Sequence, residues 1–168
     1  YAKYTDNTII IKSKKDKIIN AKYEVEADWS SASYFFSIVA LSKNIELSFL
    51  NFRKDSFQGD INVCKYYELF GLETTFQNDK LIIKKRNNFD YPKKIILDLK
   101  DNPDLAQTII VTAYGLNIPT KITGLSTLKL KETDRLEALR NELTNLGASC
   151  IIDDESIEFF KSNKLNKN

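Results

Sequence analysis

Leu128-Lys-Leu-Lys-Glu-Thr-Asp-Arg-Leu-Glu-Ala-Leu-Arg-Asn-Glu-Leu-Thr-Asn-Leu146 governs the reading of the chain, because it runs from strand-like alternation into a helix and crowds charge into the junction. Lys131 and Arg135 sit where a helix start, with its free N–H groups and positive dipole end, favours anions. Four residues apart, they are expected on one helical face, with Glu132 within reach of Arg135. Two readings fit. A phosphate or carboxylate held by N–H groups, the lysine and the arginine fork would explain the cations. An exposed helix with ordinary salt bridges explains them equally simply, and local physics alone favours it.

Outward from this stretch the same order of elements recurs. Upstream lie a strand over 94–99, a turn at Asp101-Asn102-Pro103, a helix over 104–116 and a strand over 120–123. Downstream, 148–153 pairs with 156–161 as a hairpin. The preceding half reads the same way: a short half-buried strand at 23–26, Asp28 capping a buried helix over 29–42, a strand over 44–50 and a linker over 51–59. Asp60 then caps a helix over 61–70 that stops at Gly71 in a left-handed C-cap, and 72–77 with 81–85 form a hairpin around Asn78-Asp79. At the start, Asp6-Asn7 turns into a strand over 8–12, followed by a charged loop over 13–17. The closing strands coincide as Asp6-Asn7-Thr-Ile-Ile-Ile-Lys12, Asn78-Asp79-Lys-Leu-Ile-Ile-Lys84 and Asp154-Glu155-Ser-Ile-Glu-Phe-Phe-Lys161, their lysines 72 and 77 residues apart. Two copies plus the last strand of a third predict an α/β (α+β) repeat protein whose stacked units share a core.

With 42% apolar residues in 168, the chain can bury such a core. Its net charge of +2 argues against a dedicated nucleic-acid binder, and the lysine runs at 12–17 and 84–86 read as solvated edges. There is no histidine, which removes the commonest general base and metal ligand and leaves proton transfer to Glu, Asp or Lys. Cys64 and Cys150 lack metal or disulfide spacing, read as small core residues and fit a reducing cytoplasm. No apolar run approaches the roughly 18–20 residues of a membrane span. The start at Tyr1 and the polar tail over 161–168 suggest a piece of a longer polypeptide.

Three charged clusters fall at equivalent junctions: 26–33, Gln58-Gly59-Asp60, and Asp104 together with 131–135. Helix starts gathered at one end of an α/β layer can face a common cleft, so Asp104, Lys131, Glu132 and Arg135 are expected to meet. Asp104 follows a proline, so a purely capping role fits it too. Ser30, Ser31 and Ser33 fit close helix packing better than a phosphate cradle, and Trp29 fits packing.

Glu-Ala-Asp-Trp-Ser-Ser-Ala-Ser-Tyr-Phe (26–35), Gln-Gly-Asp (58–60), Pro-Asp-Leu-Ala-Gln-Thr (103–108) and above all Lys-Glu-Thr-Asp-Arg-Leu (131–136) resemble the 5-enolpyruvylshikimate-3-phosphate synthase family. The resemblance implies an α/β prism of six βαβαββ units in two domains, about two of them present here: 1–56 ending the first enolpyruvyl transferase domain and 57–168 forming part of the second. It implies enolpyruvyl transfer from phosphoenolpyruvate to the 5-hydroxyl of shikimate 3-phosphate in chorismate and aromatic amino acid biosynthesis. The enzyme would be a cytoplasmic monomer using no metal or organic cofactor, with no nucleic-acid or membrane partner. By the same resemblance Asp104 holds the shikimate hydroxyls and is the general base, Lys131 lies by the reacting hydroxyl, Glu132 moves the proton at C3, and Arg135 clamps phosphoenolpyruvate. Thr127 stands where the family often has a phosphate-binding Asn. A family serine has no match in 18–23, and the early Lys-Ser loop, the Ser-Ser-Gln site and the later Asp-His-Arg and lysine segments are absent. The piece alone is therefore expected to show no turnover, needing the remainder of the parent polypeptide. The alternatives are a UDP-amino-sugar enolpyruvyl transferase, or a non-catalytic module for phosphorylated ligands or RNA.

Overall fold

The capped helices and β-branched runs form two sheets sharing one core, plus a separate hairpin, in a computed structural model that describes residues 2–12, 22–77 and 80–161. The hairpin pairs β1 (Ala2–Thr5) with β2 (Thr8–Ile11). Asp6 and Asn7, at φ 48° and 59°, supply the two left-handed turn residues that suit hairpin twist. The charged loop expected over 13–17 lies outside the described residues, as does the turn at 78–79.

α1 (Trp29–Leu41) begins where expected. The Asp28 carboxylate accepts from the Ser30 N–H at 2.9 Å and the Ser31 hydroxyl at 2.7 Å. These bonds, the Ser31 hydroxyl foremost, hold the Asp28 carboxyl below its ordinary 3.8. A depressed carboxyl pKa contributes stability above the ordinary value and loses it as pH falls through the folded value. Asp28→Ala is expected to cost ~1 kcal/mol at neutral pH by urea titration, and its gap from wild type to narrow below about pH 3.8.

Trp29, Phe36, Val39 and Ala40 are buried on α1, but Tyr34, Ile38 and Leu41 are exposed, so the helix is not buried all round as expected. It packs on one side against α3 (Ala106–Gly115) and on another against a sheet of β3 (Glu46–Leu50), β4 (Leu72–Gln77) and β5 (Lys80–Lys85), leaving the third side open. This sheet is antiparallel in the order β3-β5-β4, with Leu81 opposite both Phe49 and Phe76. Leu81 and Ile83 alternate into the core.

The strand expected at 23–26 does not form. Residues 22–28 are irregular, and their tie to the sheet is the Ala27 N–H donating to the Asn51 carbonyl at 3.0 Å. The helix expected over 61–70 is broken into a 3-10 turn Gly59–Asn62, α2 (Val63–Tyr66) and a second 3-10 turn Tyr67–Phe70. Asp60 does not cap it, because distant donors occupy that carboxylate. Gly71, at φ 77°, closes the segment as expected, and an added Cβ would lie 2.7 Å from the Phe89 ring.

The second unit runs β6 (Ile95–Asp98), α3, β7 (Thr120–Thr123), α4 (Arg135–Asn145), β8 (Ser149–Ile152) and β9 (Ile157–Phe160), a complete βαβαββ order. β6 and β7 are parallel; β9 and β8 continue the sheet antiparallel, giving β6-β7-β9-β8. The order β7-β9-β8 repeats β3-β5-β4, and the Leu99 N–H bonds the Thr123 carbonyl at 2.9 Å much as Ala27 bonds Asn51. The internal repeat is thus visible in strand order and register. α3 lies between the sheets, with Ala106, Ile109, Ile110 and Ala113 buried. The division expected at 56/57 falls between β3 and the two strands that complete its sheet. Among the described residues no helix is long and apolar enough to cross a membrane.

Candidate active site

Because β6 and β7 run parallel, the segments leaving their C-terminal ends emerge on the same side. After β6 the chain reaches the 3-10 turn Pro103–Leu105, which carries Asp104 into α3. After β7, Gly124 adopts φ 79° against the β6 exit; a Cβ there would lie 2.4 Å from Asp98 Oδ1 and 2.5 Å from the Lys100 nitrogen. This close approach sets the segment bearing Lys131 beside the one bearing Asp104.

The alternation at 128–131 is not a strand. Residues Ser126–Leu130 make a 3-10 turn that buries Leu128 and leaves Leu130 84% exposed. Leu128 provides the anchor, its N–H donating to the Leu125 carbonyl at 2.9 Å. α4 starts only at Arg135, with Asp134 as cap accepting from the Leu136 and Glu137 N–H groups at 3.1 and 3.0 Å. Lys131 therefore precedes the helix, and the expected i,i+4 stacking with Arg135 is replaced by convergence on a common acceptor.

That acceptor is Asp104. Lys131 Nζ lies 3.0 Å from Asp104 Oδ1 and donates to Oδ2 at 3.1 Å, while Arg135 Nη1 donates to Oδ1 at 3.2 Å. Arg135 also grips Glu132, donating from Nε at 3.1 Å and Nη2 at 2.8 Å to Oε1. Asp104 makes no capping bond to either the 3-10 turn or α3, so the capping reading does not describe it. The side chains of Lys131, Asp104 and Arg135 are 33%, 37% and 30% exposed, and Glu132 is 66% exposed. Glu132 is held below the usual carboxylate range, first by its own backbone N–H and then by Arg135. Thr127 stands exposed on the 126–130 turn and takes no part in these contacts. Of the stretch lacking the family serine, residues 18–21 lie outside the described residues.

Asp104, Glu132 and Arg135 open onto a cleft of about 630 Å³ that also involves Ser30, Tyr34 and Gln107. Gln107 was not legible as a cleft residue by chemistry, although its position one turn after Asp104 was a usable signal. A depression of about 650 Å³ around Glu26, Asn51, Arg53 and Phe76 carries none of the charged cluster. Of the serines, Ser33 is buried as packing predicts, whereas Ser31 bonds the Asp28 cap and Ser30 bonds Asp60. Burial pushes the Cys64 thiol up to about 11 and raises Cys150, as unreactive packed thiols require. Among the described residues no three Cys, Asp or Glu side chains gather as a metal-binding group.

Fold and site define an α/β protein of repeated strand–helix units with a charged cleft where parallel strands end. Residues 2–167 match the family described as EPSP synthase (3-phosphoshikimate 1-carboxyvinyltransferase), and the chain belongs to that family. It is 40% identical over 125 residues to the 3-phosphoshikimate 1-carboxyvinyltransferase of Bacteroides fragilis, covering 74% of this chain and 30% of that protein. The enzymes of the same name from Buchnera aphidicola and Brachyspira hyodysenteriae are 35% and 31% identical, covering 86% and 90% of this chain. The chain spans 30–35% of the length of these relatives.

Proposed function

We propose that this chain is a segment of an enzyme that transfers the enolpyruvyl group of phosphoenolpyruvate to the 5-hydroxyl of shikimate 3-phosphate, releasing phosphate, in cytoplasmic chorismate and aromatic amino acid biosynthesis. The observation that carries the reading is the meeting of Asp104, Lys131, Glu132 and Arg135, from the family's two most informative motifs, in one cluster of which Asp104, Glu132 and Arg135 line the cleft. Asp104 takes the proton from the 5-hydroxyl as its oxygen bonds C2 of phosphoenolpyruvate, and Glu132 delivers a proton to C3. Loss of phosphate from C2 and of a proton from C3 then restores the double bond. Lys131 offsets the developing negative charge by the reacting hydroxyl, and Arg135 holds the phosphoenolpyruvate anion. Thr127 offers a hydroxyl to the shikimate phosphate from the turn before Lys131.

The ion pair with Arg135 is, after its own backbone N–H, one of the contacts that keep Glu132 ionised. When phosphoenolpyruvate takes the Arg135 guanidinium, Glu132 loses one of the contacts that keep it ionised, and enclosure by the rest of the parent raises its pKa further. No metal or organic cofactor is required. The cluster brings two cations and two carboxylates, so it is neutral, and substrates carrying several negative charges need cations from elsewhere in the parent. The 168-residue chain alone is accordingly expected to release no phosphate from the two substrates; turnover by the isolated chain would contradict that division of labour.

The reading extends to a monomeric parent with six βαβαββ units in two domains. Because β3 completes the sheet of β4 and β5, and Trp29 shares their core, we place the domain division before Trp29 rather than at 56/57. An RNA-binding role finds less support, since Lys84, Lys94 and Lys129 are spent on Glu73, Glu158 and Asp154. Assaying the parent with shikimate 3-phosphate against a UDP-amino sugar as acceptor separates the enzyme readings.

A further inference from the structure

We propose that Asn102 is a positioning residue for Asp104, and that the Gln58-Gly59-Asp60 motif acts by holding Asn102. The inference rests on the function proposed above for its kinetic readouts. Asn102 is 1% exposed, and its carboxamide makes three hydrogen bonds. Nδ2 donates to Asp60 Oδ1 at 3.1 Å, while Oδ1 accepts from Asn62 Nδ2 at 2.9 Å and the Tyr66 hydroxyl at 3.1 Å. Its backbone is fixed as well: the N–H donates to the Leu99 carbonyl at 2.9 Å, and its carbonyl accepts from Leu105 N–H at 3.1 Å. A buried amide that donates from its nitrogen and accepts twice at its oxygen has one orientation, and leaving those partners unsatisfied is costly.

Asp60 and Asn102 are residue types that ordinarily cap helices, yet neither caps the turn beside it. They bond each other across 42 residues of sequence instead. The other Asp60 oxygen accepts from Ser30 Oγ at 2.5 Å, and Ser30 itself lines the cleft. Gln58 completes the tie, accepting from Trp29 N–H at 3.0 Å and donating to the Ala27 carbonyl at 2.9 Å. Gly59 is small for the same reason, since a Cβ would stand 3.2 Å from Asn102 Nδ2. The network thus runs from the start of α1 through Asp60 and Asn102 to the turn that carries Asp104.

Asp104 itself contacts Lys131 and Arg135 through solvent-accessible ion pairs, and pairs of that kind contribute little to fixing a backbone. Its placement is therefore delegated to Asn102, two residues earlier and buried. Displacing a reacting group by about 1 Å can cost roughly 100-fold in rate.

The test is a double-mutant cycle in the full-length parent, with each rate normalised to folded protein by circular dichroism. Asn102→Ala is expected to lower kcat/KM for shikimate 3-phosphate by roughly 30- to 100-fold. In an Asp104→Asn background the same change should cost less than about threefold, because its route of action has been removed. Asp60→Ala should behave like Asn102→Ala, and Asp60→Asn, which keeps an acceptor for Asn102, should restore most of the activity. Equal losses in both backgrounds, or losses that vanish on normalisation, overturn the proposal while leaving the proposed reaction standing. Should the unmutated parent lack the activity, that reaction fails, and positioning is decided in the 168-residue chain by solving the structure of its Asn102→Ala form. Asp104 out of reach of Lys131 or Arg135 supports the proposal; both pairs retained overturn it.

Discussion

Replacing Lys131 by Met, Asp104 by Ala or Glu132 by Gln in the full-length parent is expected to cut kcat/KM by roughly 100- to 10,000-fold each, the range set by removing a general acid, base or fixed charge. The three differ in how they do so. Asp104→Ala removes the acceptor shared by Lys131 and Arg135, leaving Lys131 without that carboxylate and Arg135 with Glu132 alone. Binding of anionic ligands should then persist, or even tighten, while turnover collapses. Lys131→Met leaves Arg135 on Asp104 and Glu132, so its loss should fall mainly on kcat. Glu132→Gln keeps a carbonyl oxygen for Arg135 but loses the titrating proton, and should abolish solvent-proton exchange at C3 along with turnover. These effects should be strongly non-additive, because the four side chains form one connected set. Steady-state kinetics with isotope exchange measures all three.

Trp29→Ala is expected to destabilise the 168-residue chain by ~3–5 kcal/mol, a large part of the ~5–15 kcal/mol of a whole domain. Trp29 is fully buried, edge-on to Phe52 at 4.8 Å and 6.2 Å from Phe76, so truncation opens a cavity between α1 and its sheet. The indole Nε1 is buried without a hydrogen-bond partner, so the residue contributes through apolar volume. Trp29→Phe should consequently cost much less than Trp29→Ala. Urea unfolding of the three forms gives the comparison, and equal midpoints would contradict the packing described. Because Trp29 N–H is also the donor to Gln58, loosening this corner should reach the Asp60–Asn102 network before it reaches α4.

Local chemistry was written openly in the sequence. Asp28 capping α1, Gly71 closing the segment at 70, and the hairpin of β8 with β9 each depend on residues a few positions apart. The failures share a physical cause. The helix over 61–70 broke because Asp60 is claimed by Ser30 and Asn102, 30 and 42 residues away. The alternation at 128–131 became a turn because Gly124 redirects the chain and only Leu128 finds the core. α1 looked buried all round because composition does not tell which side of an apolar helix meets its neighbours. The meeting of Asp104 with Lys131 was suggested by the repeat, but its basis, the parallel pairing of β6 with β7, is a long-range choice that no local pattern encodes.

One measurement decides above the rest: phosphate release by the unmutated full-length parent supplied with shikimate 3-phosphate and phosphoenolpyruvate together, and with each alone. The expected result is phosphate and enolpyruvyl product in equal amounts, formed only when both substrates are present. A folded parent that releases no phosphate under those conditions, or that uses a UDP-amino sugar in place of shikimate 3-phosphate, would contradict it.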